Sequence, residues 1–101
     1  MNATTVKAVT LKAWTFYSDP GHSWLKVARK DVVAAGVADK VSVCSFQRGD
    51  YVYLEEDCDA EAFLVAVQAI GGYDWSTIKD TLKEKSTDRR SKIRSYQSYR
   101  A

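Results

Sequence analysis

Val41-Ser42-Val43-Cys44-Ser45-Phe46-Gln47-Arg48-Gly49-Asp50-Tyr51-Val52-Tyr53-Leu54-Glu55-Glu56 is the stretch whose reading decides how this chain folds. Two runs rich in β-branched and aromatic residues, Val41 to Gln47 and Tyr51 to Glu56, flank Arg48-Gly49-Asp50, which is turn chemistry. With Gly49-Asp50 as a two-residue loop, Arg48 faces Tyr51, Phe46 faces Tyr53 and Cys44 faces Glu55. Side chains alternate along a strand, so Val41, Val43, Val52 and Leu54 gather on the opposite face, an aliphatic patch fit for a core. This register holds Cys58 far from Cys44. Phe46, Tyr51 and Tyr53 stand together beside Arg48. Left open, such a face stacks bases. Covered, it is core, and Trp14, Phe16 and Trp24 are the aromatics expected to cover it; burial is the preferred reading.

Working outward, strand character begins near Val9. Val9, Leu11, Ala13 and Thr15 point one way, and Thr10, Lys12, Trp14 and Phe16 the other. Asp19-Pro20-Gly21 reverses the chain, because proline presets the first turn corner and glycine permits positive φ. Trp24 to Ala28 reads as the returning strand. Lys30 to Ala35 reads as a short helix with Val32, Val33 and Val37 inward, stopped by Gly36. The best helix starts at Asp57 to Asp59, carries Ala60, Phe63, Leu64, Val67 and Ile70 on one face, and ends at Gly71-Gly72. A further turn or two runs from Asp74 to Lys83, with Trp75, Ile78 and Leu82 aligned. The sum is an α+β fold: an antiparallel sheet of about four strands, made of two hairpins, with two or three helices on one face. Residues 1–8 read as a flexible N-terminus, 9–84 as the single α+β domain, and 85–101 as a basic C-terminal tail or terminal helix.

At 101 residues, 46% hydrophobic and 12% aromatic, the chain suffices for one domain with a real core. The charge is divided by position. Residues 1–78 carry seven Lys/Arg against ten Asp/Glu, a balance of −3; residues 79–101 carry eight against three, a balance of +5; together they give the +2 of the whole chain. The opening residues lack the apolar run of a secretory leader, and no stretch approaches the roughly 20 apolar residues of a membrane span. A soluble, intracellular protein is expected. Cys44 and Cys58 lack the spacing of a paired metal site or a disulfide scaffold and are expected reduced.

Three motifs invite chemistry. The acidic run Glu55-Glu56-Asp57-Cys58-Asp59-Ala60-Glu61 lacks the alternating ligands and central glycine of a Ca²⁺ loop. Asp57 or Asp59 capping the helix, with the other carboxylates near its positive end, accounts for it. His22 beside Asp19, Ser18 and Ser23 is the one histidine available to an enzyme, and neighbours in sequence rarely form a working triad. Arg48-Gly49-Asp50 spells an adhesion tripeptide and is read as the hairpin turn. No glycine-rich phosphate loop occurs. No metal or cofactor is expected.

The C-terminal segment is the remaining candidate. Lys83, Lys85, Arg89, Arg90, Lys92, Arg94 and Arg100 are interleaved with Tyr96 and Tyr99. Cations neutralise phosphates and aromatics stack, which suits nucleic acid; an acidic protein surface suits the cations equally; and a solvated tail or terminal helix, the usual fate of a charge run, needs no partner at all. If helical, Arg89, Ile93, Tyr96 and Arg100 share a stripe, letting Ile93 and Tyr96 dock while the arginines stay wet. The candidate partner-binding residues are therefore Arg89, Arg90, Lys92, Arg94, Tyr96, Tyr99 and Arg100, with Arg48 of the hairpin turn.

The segments Tyr17-Ser18-Asp19-Pro20-Gly21-His22-Ser23-Trp24-Leu25-Lys26-Val27, Ala38-Asp39-Lys40-Val41-Ser42, Tyr53-Leu54-Glu55-Glu56-Asp57-Cys58-Asp59 and Arg90-Ser91-Lys92-Ile93-Arg94-Ser95-Tyr96 resemble short uncharacterised proteins carried by bacteriophages and other bacterial mobile elements. That resemblance implies an accessory role, commonly the blocking of a host enzyme or defence complex, and transfers no functional residue. The expectation is a small non-enzymatic protein, cytoplasmic in a bacterial host cell, that binds a host protein or complex. Direct nucleic-acid binding through the tail and the aromatic hairpin face is the alternative.

Overall fold

The computed structural model describes residues 14–71 and 74–101. The expected flexible stretch 1–8, the strand residues Val9 to Ala13 and the helix stop at Gly72 lie outside the described residues. Within them, β1 (Thr15–Ser18) and β2 (Ser23–Ala28) form the first hairpin. Helix α1 (Arg29–Ala34) follows, then β3 (Phe46–Arg48) and β4 (Tyr51–Glu55). A wide π turn, Glu56–Ala60, leads into α2 (Glu61–Gly71) and α3 (Trp75–Thr81). Strand β5 (Lys83–Ser86), a 3-10 turn (Lys92–Ser95) and β6 (Gln97–Ser98) complete the chain. The fold is α+β, but the sheet has six strands among the described residues, in the order β5-β1-β2-β4-β3-β6, rather than about four. It is also mixed rather than antiparallel throughout, because β5 runs parallel to β1.

The second hairpin has the expected register. Phe46 pairs with Tyr53, Gln47 with Val52 and Arg48 with Tyr51. Gly49 holds φ at 59°, while no described non-glycine residue has positive φ, so the loop places its left-handed position first, as a II′ turn requires. The first strand is shorter than expected: pairing stops at Phe46, and Val43 is 75% exposed instead of lining a core. Asp59 is the cause. Its carboxylate accepts from the Ser42 N–H at 3.1 Å, the Ser42 hydroxyl at 2.7 Å and the Ser45 hydroxyl at 2.6 Å. Residues 42–45 are thereby curled toward the start of α2.

Helix α1 stops as expected. Gly36 adopts φ 77°; its N–H donates to the Val33 carbonyl at 2.9 Å and the Val37 N–H to the Val32 carbonyl at 3.2 Å. That is the Schellman pattern, and it closes on a contact-ready pair of buried valines, Val32 and Val37. Val33, expected inward, is exposed.

The sheet has two covered faces. Leu25, Val27, Val52 and Leu54 pack with Trp14, Val32, Phe63, Val67 and Ile78 in the main core, beneath the helices. Trp14 Nε1 donates to the buried Asp31 carboxylate at 2.9 Å and its ring meets Phe63 edge-on at 5.0 Å. The opposite face carries a smaller core of Trp24, Tyr53 and Ile93, with Tyr17, Phe46 and Tyr96 around it. Of the aromatics expected to cover Phe46 and Tyr53, only Trp24 does so. Trp14 and Phe16 lie on the helix side, and Ile93 and Tyr96 supply the cover instead.

Candidate functional site

The segment read as a basic tail or terminal helix from residue 85 lies along the sheet as the end of β5, a turn and β6. What fixes it is a fork between distant residues. Arg94 donates from Nε to Asp19 Oδ2 at 2.7 Å and from Nη2 to Asp19 Oδ1 at 2.8 Å. Two parallel bonds to one carboxylate add geometric definition as well as charge attraction. Asp19 also accepts the backbone N–H groups of Gly21 at 2.9 Å, His22 at 3.0 Å and Ser91 at 2.9 Å. The turn between β1 and β2 and the turn before β6 are therefore built on the same carboxylate. Chiefly because of Arg94, aided by those N–H groups and against the effect of burial, Asp19 is held well below the usual carboxylate range. Gly21 packs against the fork: a Cβ there would meet Arg94 Nη2, the end of that side chain, at 2.6 Å and would have to displace it.

Beside the fork opens a cleft of about 530 Å³, lined by His22, Trp24, Cys44, Phe46, Glu55, Asp57, Cys58, Arg90 and Arg94. Glu55, at the end of β4, caps the turn into α2: its Oε1 accepts from the Asp57 N–H at 2.8 Å and the Cys58 N–H at 3.0 Å. This corrects the expectation that Asp57 or Asp59 caps the helix; Asp59 is spent on the Ser42–Ser45 loop. That same loop brings Cys44 to Cys58, against the expectation that the hairpin keeps them apart. With the Cys44 thiol and Glu55 beside it, the Cys58 thiol is pushed up to about 12. Both cysteines are free and exposed. Asp19 does not orient the His22 ring, since it bonds only that residue's backbone N–H; the ring's Nδ1 lies 3.4 Å from Glu55 Oε2. Among the described residues no group of three His, Cys, Asp or Glu side chains converges to hold a metal ion.

Arg90 also borders a smaller groove of about 350 Å³ with Tyr17, Lys85, Arg89 and Lys92. The structure thus splits the eight expected binding residues. Arg89, Arg90 and Lys92 are exposed, and none is in an ion pair among the described residues. Arg94 belongs to the fork. Tyr96 packs on Tyr53 at 5.0 Å, and Arg48 lies over the Tyr96 ring at 5.0 Å. Under this cover Tyr53 is pushed up to about 12, mainly by burial. Tyr99 is buried in the main core, its hydroxyl donating to the Ala38 carbonyl. Arg100 is tied by its backbone to Gln47 and Arg29. Tyr51, the third aromatic of the hairpin face, is 37% exposed with Lys26 Nζ 4.1 Å above its ring.

Sequence reasoning passed over Trp24 and Glu55 as site residues. The signal available was their position at the strand ends nearest the Asp19 turn and the acidic run. No helix among the described residues is long and apolar enough to cross a membrane. The chain matches no protein-family model, no curated protein and no solved structure.

Proposed function

We propose that this chain is a small non-enzymatic binding protein, an accessory of a phage or mobile element, that docks on an acidic surface of a host macromolecule. One observation carries the reading: Lys83, Lys85, Arg89, Arg90 and Lys92 are all exposed and none has an acidic partner among the described residues. These five cations outnumber the exposed Glu84 and Asp88 of the same segment, so like charges in excess repel one another, and an anionic surface relieves that repulsion. The Asp19–Arg94 fork and the Ile93 anchor make the segment a fixed ridge, so little chain entropy is lost when it docks. A host protein is preferred to nucleic acid, because the hairpin aromatics that suit base stacking, Phe46 and Tyr53, lie under Ile93 and Tyr96.

The test is capture from a bacterial lysate, with and without nuclease, by the chain and by a variant carrying Arg89→Glu, Arg90→Glu and Lys92→Glu. All three positions are exposed, so the variant should fold. The expected result is one captured factor, resistant to nuclease and lost in the variant. Capture that disappears with nuclease, and weakens with salt in proportion to the phosphates neutralised, favours nucleic acid. Undiminished capture by the variant overturns the reading.

A further inference from the structure

Folding leaves two buried polar atoms of the cleft without a partner, Trp24 Nε1 and Glu55 Oε2. Trp24 is 1% exposed and Glu55 7%. Elsewhere among the described residues such groups are satisfied: Trp14 Nε1 reaches Asp31, and Glu55 Oε1 takes two backbone N–H groups. Burying a donor or a carboxylate oxygen without a partner is unfavourable, so two such atoms on one cleft wall point to a ligand. The groups beside this carboxylate are the Cys58 thiol, a weak donor, and His22, whose Nδ1 lies 3.4 Å from Glu55 Oε2, long for a hydrogen bond, on a side chain 49% exposed. Trp24 and Glu55 are cross-strand partners, so an indole N–H and a carboxylate oxygen rise side by side on one face of the sheet. Arg90 stands at the rim, exposed and outside any ion pair among the described residues.

A donor, an anion and a cation so arranged complement a molecule with a positive nitrogen next to an anionic oxygen. We propose that the cleft binds an α-amino-acid-type zwitterion. Its ammonium pairs with Glu55 Oε2, its carboxylate accepts from Trp24 Nε1 and Arg90, and its side chain lies along Phe46. Arg94 is already paired with Asp19 and Asp57 is exposed to solvent, so Glu55 and Arg90 are the charges left to meet the ligand's ammonium and carboxylate, and neither ligand charge is buried uncompensated. The space, about 530 Å³, lies within the usual range of small-molecule sites. A nucleobase suits the cleft less well: Arg94 covers the Trp24 ring at 5.6 Å and Phe46 meets it edge-on at 6.4 Å, leaving no free face for stacking. This site is independent of macromolecular docking and shares only Arg90 with it.

The test labels the tryptophans with ¹⁵N and follows the three indole N–H signals while the standard L-amino acids are added singly to tens of millimolar. The expected result is a saturable shift of the Trp24 signal with at least one of them, the Trp14 and Trp75 signals staying in place. Glu55→Gln keeps an oxygen for the Asp57 and Cys58 N–H groups but turns the orphan acceptor into a donor. It should abolish the shift while thermal unfolding reports an intact fold. If it fails to fold, Arg90→Ala replaces it and should weaken binding about tenfold. The methyl ester of the binding amino acid, which lacks the anionic oxygen, should not bind. No saturable shift with any amino acid, an undiminished shift in the folded variant, or equal binding by the ester each overturns the proposal.

Discussion

Replacing Ile93 with alanine tests whether the C-terminal segment is part of the fold or an arm attached to it. Ile93 is 2% exposed and packs with Trp24 and Tyr53 on the sheet face away from the helices. The substitution removes three carbons, worth roughly 0.8 kcal/mol each, or about 2.4 kcal/mol in transfer alone. The hole left between two aromatic rings adds a cavity term, bringing the loss to about 3 kcal/mol, inside the ~2–5 kcal/mol found for such truncations. A domain of 101 residues has a total stability of about 5–15 kcal/mol, so this is a large fraction. At about 4–8 °C per kcal/mol the melting temperature falls by about 12–24 °C. Urea unfolding followed by tryptophan fluorescence and by circular dichroism measures it, with Val43→Ala as the control. Val43 is 75% exposed, and its truncation should stay within about 0.5 kcal/mol of the parent. If Ile93→Ala also stays within that margin, the second core contributes nothing and the segment is only loosely attached.

Acid should weaken the fold through Asp19. Its folded value lies below the ordinary 3.8, so its contribution is complete above that value and is lost as pH falls from there toward the lower folded value. Asp19→Asn should therefore be less stable than the parent at neutral pH and lose less stability between about pH 4 and pH 2; denaturation at a series of pH values checks both, and parallel curves contradict the fork. Cys58, pushed up to about 12, should be alkylated by iodoacetamide more slowly at pH 8 than a peptide thiol despite its exposure, and Cys44→Ala, removing the first cause, should speed it. Peptide mapping by mass spectrometry reads the rate, and an unchanged rate in the variant contradicts the pairing. Gly36→Ala meets no atom within 4 Å, so its cost is that of φ 77° alone, about 1–2 kcal/mol by thermal unfolding.

Much of the scaffold was legible because the signals were local. Gly49-Asp50 between alternating residues set the hairpin register, which holds pair by pair over Phe46 to Arg48. Gly36 stopped α1, and Asp74 opened α3, where its carboxylate accepts the Thr77 N–H at 2.8 Å. The failures are equally specific. Among neighbouring carboxylates Glu55, Asp57 and Asp59, nothing local says which one caps α2; Asp59 is diverted by Ser42 and Ser45, which it meets only after the chain has turned back. Lys83-Glu84-Lys85-Ser86 carries no apolar periodicity and is exposed throughout, yet it is β5, because β1 offers it an unpaired edge. The cleft was invisible for a related reason: its walls come from four separate segments.

Local chemistry by itself determined the helix and strand nuclei, the two hairpin turns and the concentration of positive charge after Leu82, since each depends on residues only a few positions apart. Tertiary structure alone decided where that charge stands. Asp19 and Arg94 lie 75 positions apart, and Ile93 finds Trp24 and Tyr53 only across the folded sheet. Long-range pairing closes loops whose entropy must be repaid by burial and charge together, and no stretch of adjacent residues records which partners repay it.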